Sequence, residues 1–447
     1  MKRIISFALI LCGIVSASAQ QQSYSLEQIL EAARRNNVTV RNARRDVDAA
    51  RQTRKEALTK YFPNISGTGL WFNANRGMAK MNMNPSEMIP TELGAALAQS
   101  LPPEALMALA NPISISMMKN GTIAGVTAMQ PIFAGGQIVN GNKLAKVGEE
   151  VSQLQLQLSE NEVERNAEQY FWQFVSLQEK MKTVQAVDDL LKDIRKNVEV
   201  AVKAGVTMRN DLLQVQLRQN DIESQKVKLQ HGISIVRMLM AQYCGLQDTT
   251  FVLSYDDVVS SPVHLRKDHQ QALLGTSEYQ LLNKQVEATN LQYKMEIGKN
   301  LPSLAVGAGY NYHNILDNDH TFGMVFASVS VPISDWWGGS HAIKYKKLEK
   351  LKAADQLEND AEMLKIRMMK AWHDVEEAYQ QLEIAGRSIE QAEENLRLNR
   401  EYYQAGTTTM SDLLEAQLLY QQAKDRRTDA FADYQNKILE YRHSTGE

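Results

Sequence analysis

The sequence contains little cysteine and little proline, and after its first residues it has no long apolar run. Its 447 residues include only 2 cysteines and 10 prolines. If the leader described below is removed, Cys244 remains alone, which excludes an intrachain disulfide. No later stretch reaches the length of about 18 apolar residues that a membrane-spanning helix requires. Any insertion into a membrane must therefore depend on strands.

The sequence also lacks an excess of either charge. Its formal net charge is -3, and no run of five or more basic residues occurs. Binding to nucleic acid by displacing counterions needs a basic surface, so we expect no nucleic-acid partner. The 8 histidines show no ligand spacing on a helix face, and neither a phosphate-binding glycine loop nor a nucleophile signature is present. We therefore expect no enzyme, no cofactor and no metal site.

Residues 1–19 have the features of a secretory signal peptide. Lys2 and Arg3 precede an apolar run from Ile4 to Val15, and a small-x-small sequence ends at Ala19. This pattern predicts cleavage after Ala19 and export from the cytoplasm.

The rest of the chain contains an internal repeat. The segment KAGVTMRNDLLQVQ, residues 203–216, returns as QAGTTTMSDLLEAQ, residues 404–417, at an offset of 201. The segments VTAMQPIFAGGQ and ASVSVPISDWWGGSH are related at nearly the same offset. Self-similarity at a fixed offset indicates one structural unit used twice. We predict a first repeat over residues 20–250 and a second over residues 251–447, each with the order helix, strand, strand, long helix, tight turn, helix.

Each predicted repeat includes one very long helix. Residues 138–204 and about 341–405 contain no proline, and apolar residues such as Leu144, Val147 and Val151 recur at alternating steps of three and four. This spacing is typical of coiled coils. At 1.5 Å per residue, a continuous helix over either segment would be about 100 Å long.

The predicted strands have a different pattern. Leu304, Val306 and Ala308 alternate with small or polar residues, and the alternation continues to Tyr312. Lengths of about ten to twelve residues suit a tilted transmembrane strand with aromatic residues at the membrane interfaces. A soluble hairpin with one packed face is the alternative. The interface aromatics that we predict are Tyr61, Trp71, Tyr310, Trp336 and Trp337.

Four such strands cannot close a sheet alone, and lipid does not tolerate open sheet edges. The chain must then oligomerise, and three copies would supply twelve strands. The predicted fold class is mainly α with transmembrane β. Four strands per subunit complete a trimeric twelve-stranded barrel in outer-membrane lipid, and a long antiparallel α-helical coiled-coil tunnel continues it.

The first hairpin carries an insertion of 38 residues relative to the second, over about residues 75–120. It contains clustered methionines, among them Met78, Met81 and Met88, and we predict a short helix near residues 92–99. Clustered methionines bind soft ions such as Cu(I), but methionine more often fills apolar space. We expect the insertion to fold inward or across the outer mouth and to shield its methionines from water.

The two hairpins, the two long helices and the paired turns closely resemble the TolC family of outer-membrane factors over nearly the whole mature chain. The resemblance implies a homotrimer in the outer membrane with a large periplasmic portion. It also implies that the turns form a periplasmic tip, which opens when a periplasmic adaptor (a membrane fusion protein) and an inner-membrane pump dock. The turn residues that carry the resemblance are Ala204, Gly205, Asp211, Leu212 and Leu213, and Ala405, Gly406, Asp412, Leu413 and Leu414.

The resemblance further implies residues for the channel entrance and its gating. Asp412 and Glu415 fall where the family places acidic residues that narrow the entrance, and Tyr403 and Asp211 fall where part of a latch holds the tip shut. Thr408 occupies a position where the best-known member has an arginine, which argues against a charged latch there. Asp211 and Asp412 also begin helices, where a carboxylate offsets exposed N–H groups. Capping and gating are compatible roles.

The function that follows is passive conduction by an outer-membrane channel subunit of a tripartite efflux or secretion system. Small-molecule efflux is the commoner use of such a duct. The outer-membrane duct of a one-step protein secretion system and a periplasmic coiled-coil scaffold without a pore are the alternatives. The sequence does not identify the transported substrate, because the pump should determine specificity.

Overall fold

The computed structural model describes residues 23–90, 93, 101–247, 249–257, 259–315 and 318–446. The chain divides into two compact units. The first unit comprises the residues up to Ala50, Glu149–Val286 and the residues from Ala353 onward. The second unit comprises Arg51–Gly148 and Glu287–Lys352.

Helices make up most of the described chain, and two of them are very long. The helices are α1 (Leu26–Asn36), α2 (Val38–Thr59), α3 (Pro103–Ala110), α4 (Gln137–Lys203), α5 (Arg209–Cys244), α6 (His269–Gly275), α7 (Ser277–Lys299), α8 (Asp335–Gln404) and α9 (Met410–Ser444). Helices α4 and α8 have 67 and 70 residues. Each is about 100 Å long at 1.5 Å per residue, which confirms the predicted pair of long helices. Within the described residues, we find no helix with the length and apolar content needed to cross a membrane.

Helix α8 begins earlier than the sequence predicted, because two related glycine pairs adopt different conformations. Gly135 and Gly136 form a left-handed turn before α4, with φ of +60° and +76°. Gly338 and Gly339 instead lie inside α8. A Cβ atom at Gly339 would come within 1.7 Å of the Asn300 side chain. Close approach, and not a turn, accounts for Gly339, whereas a Cβ atom at Gly338 would meet no atom within 4 Å.

In the described part of the chain, eight strands form three sheets. The strands are β1 (Ser23–Tyr24), β2 (Asn64–Asn73), β3 (Ala79–Met83), β4 (Ile113–Met117), β5 (Asn120–Ala134), β6 (Val252–Leu253), β7 (Ser303–Asn314) and β8 (Asp319–Ser330). The main sheet lies in the second unit and has the order β2-β5-β7-β8, with all neighbours antiparallel. Strand β1 pairs with β6, and β3 pairs with β4. The four predicted long strands are therefore present, as two hairpins.

The main sheet has one strongly apolar face. Strand register determines which side chains share a face, because successive side chains alternate. The apolar face of β7 that the sequence predicted is continued by side chains of the other three strands. We call the whole set the apolar face: Ile65, Trp71, Val126, Leu304, Val306, Ala308, Tyr310, Tyr312, Val325 and Val329.

The opposite face of β7 is small and polar, as predicted, but β8 adds larger residues to this side. Phe322, Met324 and Phe326 lie there. A Cβ atom at Gly307 would come within 2.4 Å of the Phe326 ring, so the ring packs directly over the glycine. The sequence analysis did not place these three side chains, because β8 lacks a simple apolar alternation.

The insertion in the first hairpin contains the β3–β4 pair, a short 3-10 helix at Pro85–Glu87 and helix α3. The sequence did not predict α3, although Pro102 and Pro103 at its start are typical of a first helical turn. The helix predicted near residues 92–99 lies outside the described residues, apart from Leu93. Four methionines of the insertion are 49–72% exposed in the single chain, and their shielding at the outer mouth of an assembly stays a prediction: Met78, Met81, Met88 and Met107.

Aromatic side chains build the core of the first unit. Phe171 and Trp172 of α4 and Trp372 of α8 are at most 5% exposed. The ring of Trp172 meets Phe431 of α9 edge to face, with 5.6 Å between the centroids. Tyr379 packs against the same cluster. Phe171, Trp172, Trp372 and Tyr379 therefore pack between the helices of this unit.

Candidate functional site

Two tight turns in the first unit join the long helices to the helices that follow them. Gly205 lies between α4 and α5 with φ +71°, and Gly406 lies between α8 and α9 with φ +72°. In both turns the residue after the glycine donates its N–H to the carbonyl oxygen five residues back, at 2.9 Å. This is the Schellman arrangement, which favours glycine because a Cβ atom is strained at positive φ. Both predicted turns are present, and their location at a periplasmic tip stays a prediction.

The second turn leads into a fully capped helix. Thr409 is the N-cap of α9, and its hydroxyl oxygen accepts a hydrogen bond from the N–H of Asp412 at 3.2 Å. Oδ2 of Asp412 accepts bonds from the N–H of Thr409 at 3.0 Å and from the hydroxyl of Thr408 at 2.9 Å. These bonds, with the Thr409 hydroxyl the largest cause, lower the pKa of the Asp412 carboxyl. The predicted capping role of Asp412 is therefore present.

The first turn leads into a helix without such a cap. The N-cap of α5 is Met208, whose side chain makes no capping bond, and Asp211 is held by a hydrogen bond from the Thr207 hydroxyl. Tyr403 of α8 is half-buried and hydrogen-bonded to the same Thr207. Burial, the largest cause, and the nearby Asp211 charge raise the pKa of the Tyr403 hydroxyl.

The two turns share one cavity of about 720 Å³. Asp211, Tyr403, Gly406 and Thr408 all line it. The structure thus brings together Tyr403 and Asp211, the two residues implied as a latch, and it joins them through Thr207. The sequence analysis missed Thr207, although its position four residues before Asp211 matches Thr408 before Asp412 and could have identified it.

Asp412 and Glu415 are exposed on α9, outside the residues that line this cavity. Side chains three apart on a helix are neighbours on its surface. The two carboxylates therefore form one small acidic surface beside the second turn. Their predicted place around a channel entrance depends on an assembly of several chains.

Arg218 was also missed by the sequence analysis. It lies on α5 between Val215 and Ile222, both fully buried, and donates to Oε1 of Gln417 at 3.0 Å and of Gln421 at 2.8 Å. Both glutamines belong to α9 and are at most 3% exposed. Burial lowers the pKa of the Arg218 guanidinium. The internal repeat could have drawn attention to Arg218. The equivalent position in the second repeat, 201 residues further on, is a leucine, so the two repeats differ here.

The predicted interface aromatics lie in the second unit and are exposed. Tyr61 precedes β2, and Trp336 and Trp337 follow β8, close to the end of the sheet where β2 begins and β8 ends. Trp71 is seven residues along β2, which corresponds to about 24 Å at the usual rise of a strand. Tyr310 faces Gly323, between the two ends of the sheet. Four of the five residues thus lie near the ends, and Tyr310 does not.

Comparisons with known proteins agree with this architecture. Residues 270–447 match the outer membrane efflux protein family. The fold is similar to that of the Campylobacter jejuni CmeC outer membrane channel, with a TM-score of 0.72 and 14% identity over 94% of this chain and 85% of that one. It is also similar to the outer-membrane channel OprN, with a TM-score of 0.76 and 16% identity over 94% and 89% of the two chains. CusC gives a TM-score of 0.77 and 13% identity over 95% and 93%.

No curated protein sequence gives a significant match. The matched family and the similar structures are channels, which agrees with the prediction that the chain is not an enzyme. The matched family is an outer membrane efflux family and the similar structures are outer-membrane channels, which agrees with the predicted outer-membrane location and efflux role. Residues 270–447 match the outer membrane efflux protein family, and nearly the whole chain shares the fold of outer-membrane channels, so the resemblance predicted from the sequence is confirmed.

Proposed function

We propose that three copies of the chain form a passive outer-membrane duct that releases small molecules delivered by a periplasmic adaptor and an inner-membrane pump. The observation that carries this proposal is the incomplete main sheet. Its end strands, β2 and β8, each pair with one neighbour among the strands that the structure describes. Open edges of this kind are not tolerated in lipid, and three copies would supply twelve strands for a closed barrel.

The apolar face supports lipid as its surroundings. On this face Ile65, Trp71, Val126, Tyr310, Val325 and Val329 are 55–86% exposed. Soluble proteins rarely leave so large a contiguous apolar surface in water. An outward apolar band flanked by aromatic residues is typical of transmembrane barrels. Burial of this face in lipid would remove the exposed area from water.

The cavity between the two turns supports a gated entrance. Tyr403 of the second helical hairpin and Asp211 of the first meet at Thr207, so separating the two hairpins would break the Tyr403–Thr207 hydrogen bond. In a threefold assembly, Asp412 and Glu415 would contribute up to six carboxylates around one axis. Rings of acidic side chains select for cations. We infer that Tyr403 and Asp211 help to close the entrance and that Asp412 and Glu415 set its cation selectivity. Thr408 acts there through its hydrogen bond to Asp412 and not as a charged latch.

Native mass measurement in mild detergent tests the assembly. We expect three chains in a species extracted from the outer membrane. A monomer that is released without detergent would contradict the barrel and favour the coiled-coil scaffold.

Single-channel recording in planar bilayers tests the entrance. The double variant Asp412→Asn with Glu415→Gln should lower cation selectivity and relieve block by multivalent cations, without dissociating the trimer. Glu390→Gln with Glu393→Gln is the matched control, since it removes two exposed carboxylates with the same spacing from α8. Equal selectivity in both double variants would show that Asp412 and Glu415 do not line the pore.

Deletion of the protein from its native cell distinguishes small-molecule efflux from protein secretion. Small-molecule efflux predicts greater susceptibility to dyes and detergents with an unchanged set of secreted proteins. Loss of one secreted protein with unchanged susceptibility would instead indicate a protein secretion duct.

A further inference from the structure

Two histidines face each other across the β7–β8 hairpin. His313 of β7 and His320 of β8 are register partners, and their ring centroids are 5.3 Å apart with planes inclined at 45°. Directly opposed side chains of an antiparallel pair lie on the same face. The two imidazoles therefore lie side by side, on the face opposite to the apolar face.

Neither imidazole is hydrogen-bonded in the described structure. No hydrogen bond joins either ring to another described residue, and Nδ1 of His313 is buried without a partner. The adjacent carboxylate of Asp319 points to the other face, where it accepts bonds from Tyr312 at 2.9 Å and Asn314 at 2.7 Å. A buried polar atom without a partner calls for an explanation such as a water molecule or an ion. Nitrogen atoms of neutral imidazole are the commonest metal ligands in proteins.

The separation of the rings fits a shared metal ion. Zinc lies about 2.0–2.1 Å from an imidazole nitrogen, and the ring centroid lies about 1.1–1.2 Å behind that nitrogen. For a tetrahedral angle at the metal, these lengths place the two centroids about 5.2 Å apart. The observed separation of 5.3 Å between the centroids matches this value.

We propose that His313 and His320 form a binding site for one divalent transition-metal ion of the class of Zn²⁺, Ni²⁺ and Cu²⁺. Each imidazole supplies one nitrogen. Among the described residues no group of three or more His, Cys, Asp and Glu converges on a metal position. Water completes the coordination, so the ion exchanges readily. The site requires only the β7–β8 hairpin. Its test therefore gives the same result whether or not the chain forms a channel.

Aromatic packing is the competing explanation. The Phe322 ring lies 6.1 Å from both histidine rings, stacked on His320 and edge-on to His313. If the rings only pack against each other, substitution of either histidine should not change the binding of metal ions. The sequence analysis predicted no metal site because it considered ligand spacing on helices. The strand register, and not a sequence interval, creates this pair.

Titration calorimetry on the untagged protein in detergent tests the site, with Zn²⁺, Ni²⁺ and Mg²⁺ as the probes. We expect one Zn²⁺ or Ni²⁺ per chain and no comparable binding of Mg²⁺, which prefers oxygen ligands. His313→Asn and His320→Asn should each lower Zn²⁺ affinity by at least about tenfold, since even an outer-shell partner contributes 10-fold to 100-fold. His341→Asn, an exposed histidine of the same unit, should leave the affinity unchanged.

Zn²⁺ affinity that is unchanged in either His313→Asn or His320→Asn would overturn the proposal. So would equal binding of Mg²⁺, which would indicate acidic surface groups. His320 is exposed, so its substitution should leave the fold intact even if that of His313 does not. With Cu²⁺ as the probe, electron paramagnetic resonance should show two imidazole nitrogens in the wild type and one in each variant.

Discussion

The two helical hairpins of the first unit have the same turn but different surroundings. Gly205 and Gly406 differ by only one degree in φ, and their hydrogen bonds correspond one to one. The helix after the second turn is capped by Thr409, whereas the N-cap after the first turn is Met208. The two repeats therefore share the backbone conformation of the turn but differ in the side chains around it.

The difference in capping indicates different local stability. An N-cap side chain accepts hydrogen bonds from N–H groups that would otherwise lack a partner within the helix. This contributes about 1 kcal/mol to the stability of the helix. The first hairpin instead places the exposed side chains of Val206 and Met208 at its turn, 80% and 76% exposed. We infer that the start of α5 opens more readily than the start of α9. Amide hydrogen exchange measures such local opening and is the assay for the following predictions.

The largest effect is expected from Arg218, because only the first hairpin has an arginine at this position. Arg218→Ala leaves the buried Oε1 atoms of Gln417 and Gln421 without their donor, which costs about 2–3 kcal/mol. Exchange of amides along α5 and α9 near these residues should accelerate by about 30-fold to 150-fold. Leu419→Ala, at the equivalent position of α9, removes a side chain that is 44% exposed and should change exchange by less than about tenfold. Equal effects of the two variants would show that the Arg218 bonds contribute nothing to the contact between the helices.

The next largest effect concerns the shared turn. An added Cβ atom at Gly205 or Gly406 meets no atom within 4 Å, so Gly→Ala at either position is opposed only by the positive φ. We expect each substitution to destabilise its turn by about 1–2 kcal/mol, equally in the two hairpins. Gly386→Ala, inside α8 and also without a close neighbour, is the control and should stabilise its helix by about 1 kcal/mol. A marked inequality between the two turn variants would mean that a partner chain packs on one of them.

Removing the cap of α9 or adding one to α5 should each make the two helix starts alike. Thr409→Ala removes the N-cap of α9 and should speed exchange of the first turn by about five-fold to tenfold, equivalent to about 1 kcal/mol. Met208→Thr introduces an N-cap three residues before Asp211 and should slow exchange at the start of α5 by a similar factor. If Met208→Thr has no effect, Thr207 already satisfies the helix start through Asp211.

Sequence reasoning predicted most of the fold because its signals were local. The long helices followed from the absence of proline and the spacing of apolar residues, and the turns at Gly205 and Gly406 followed from the repeat. The early start of α8 was not predicted, because helix geometry tolerates Gly338 where a related glycine forms a turn. Thr207 and Arg218 were missed for another reason: the bonds of Thr207 with Tyr403 and of Arg218 with Gln417 and Gln421 join residues that are far apart in the sequence. The His313–His320 pair depends in the same way on strand register.

The smallest expected effect is the pH dependence of the second helix start, through Asp412. Hydrogen bonds from Thr409 and Thr408 lower the pKa of this carboxyl in the folded protein below its ordinary value of 3.8. A lowered pKa means that the ionised form is favoured by folding, so its contribution is fully present above the unfolded pKa and is lost as pH falls through the folded pKa. Exchange of the first turn of α9, corrected for the intrinsic rate at each pH, should therefore be constant near pH 5 and should accelerate below about pH 4. Asp412→Asn should abolish this acceleration, and Thr409→Ala should reduce it, because the Thr409 hydroxyl is the largest cause of the shift. An acid response that is unchanged in Asp412→Asn would assign the response to another carboxyl group and leave the cap of α9 insensitive to pH.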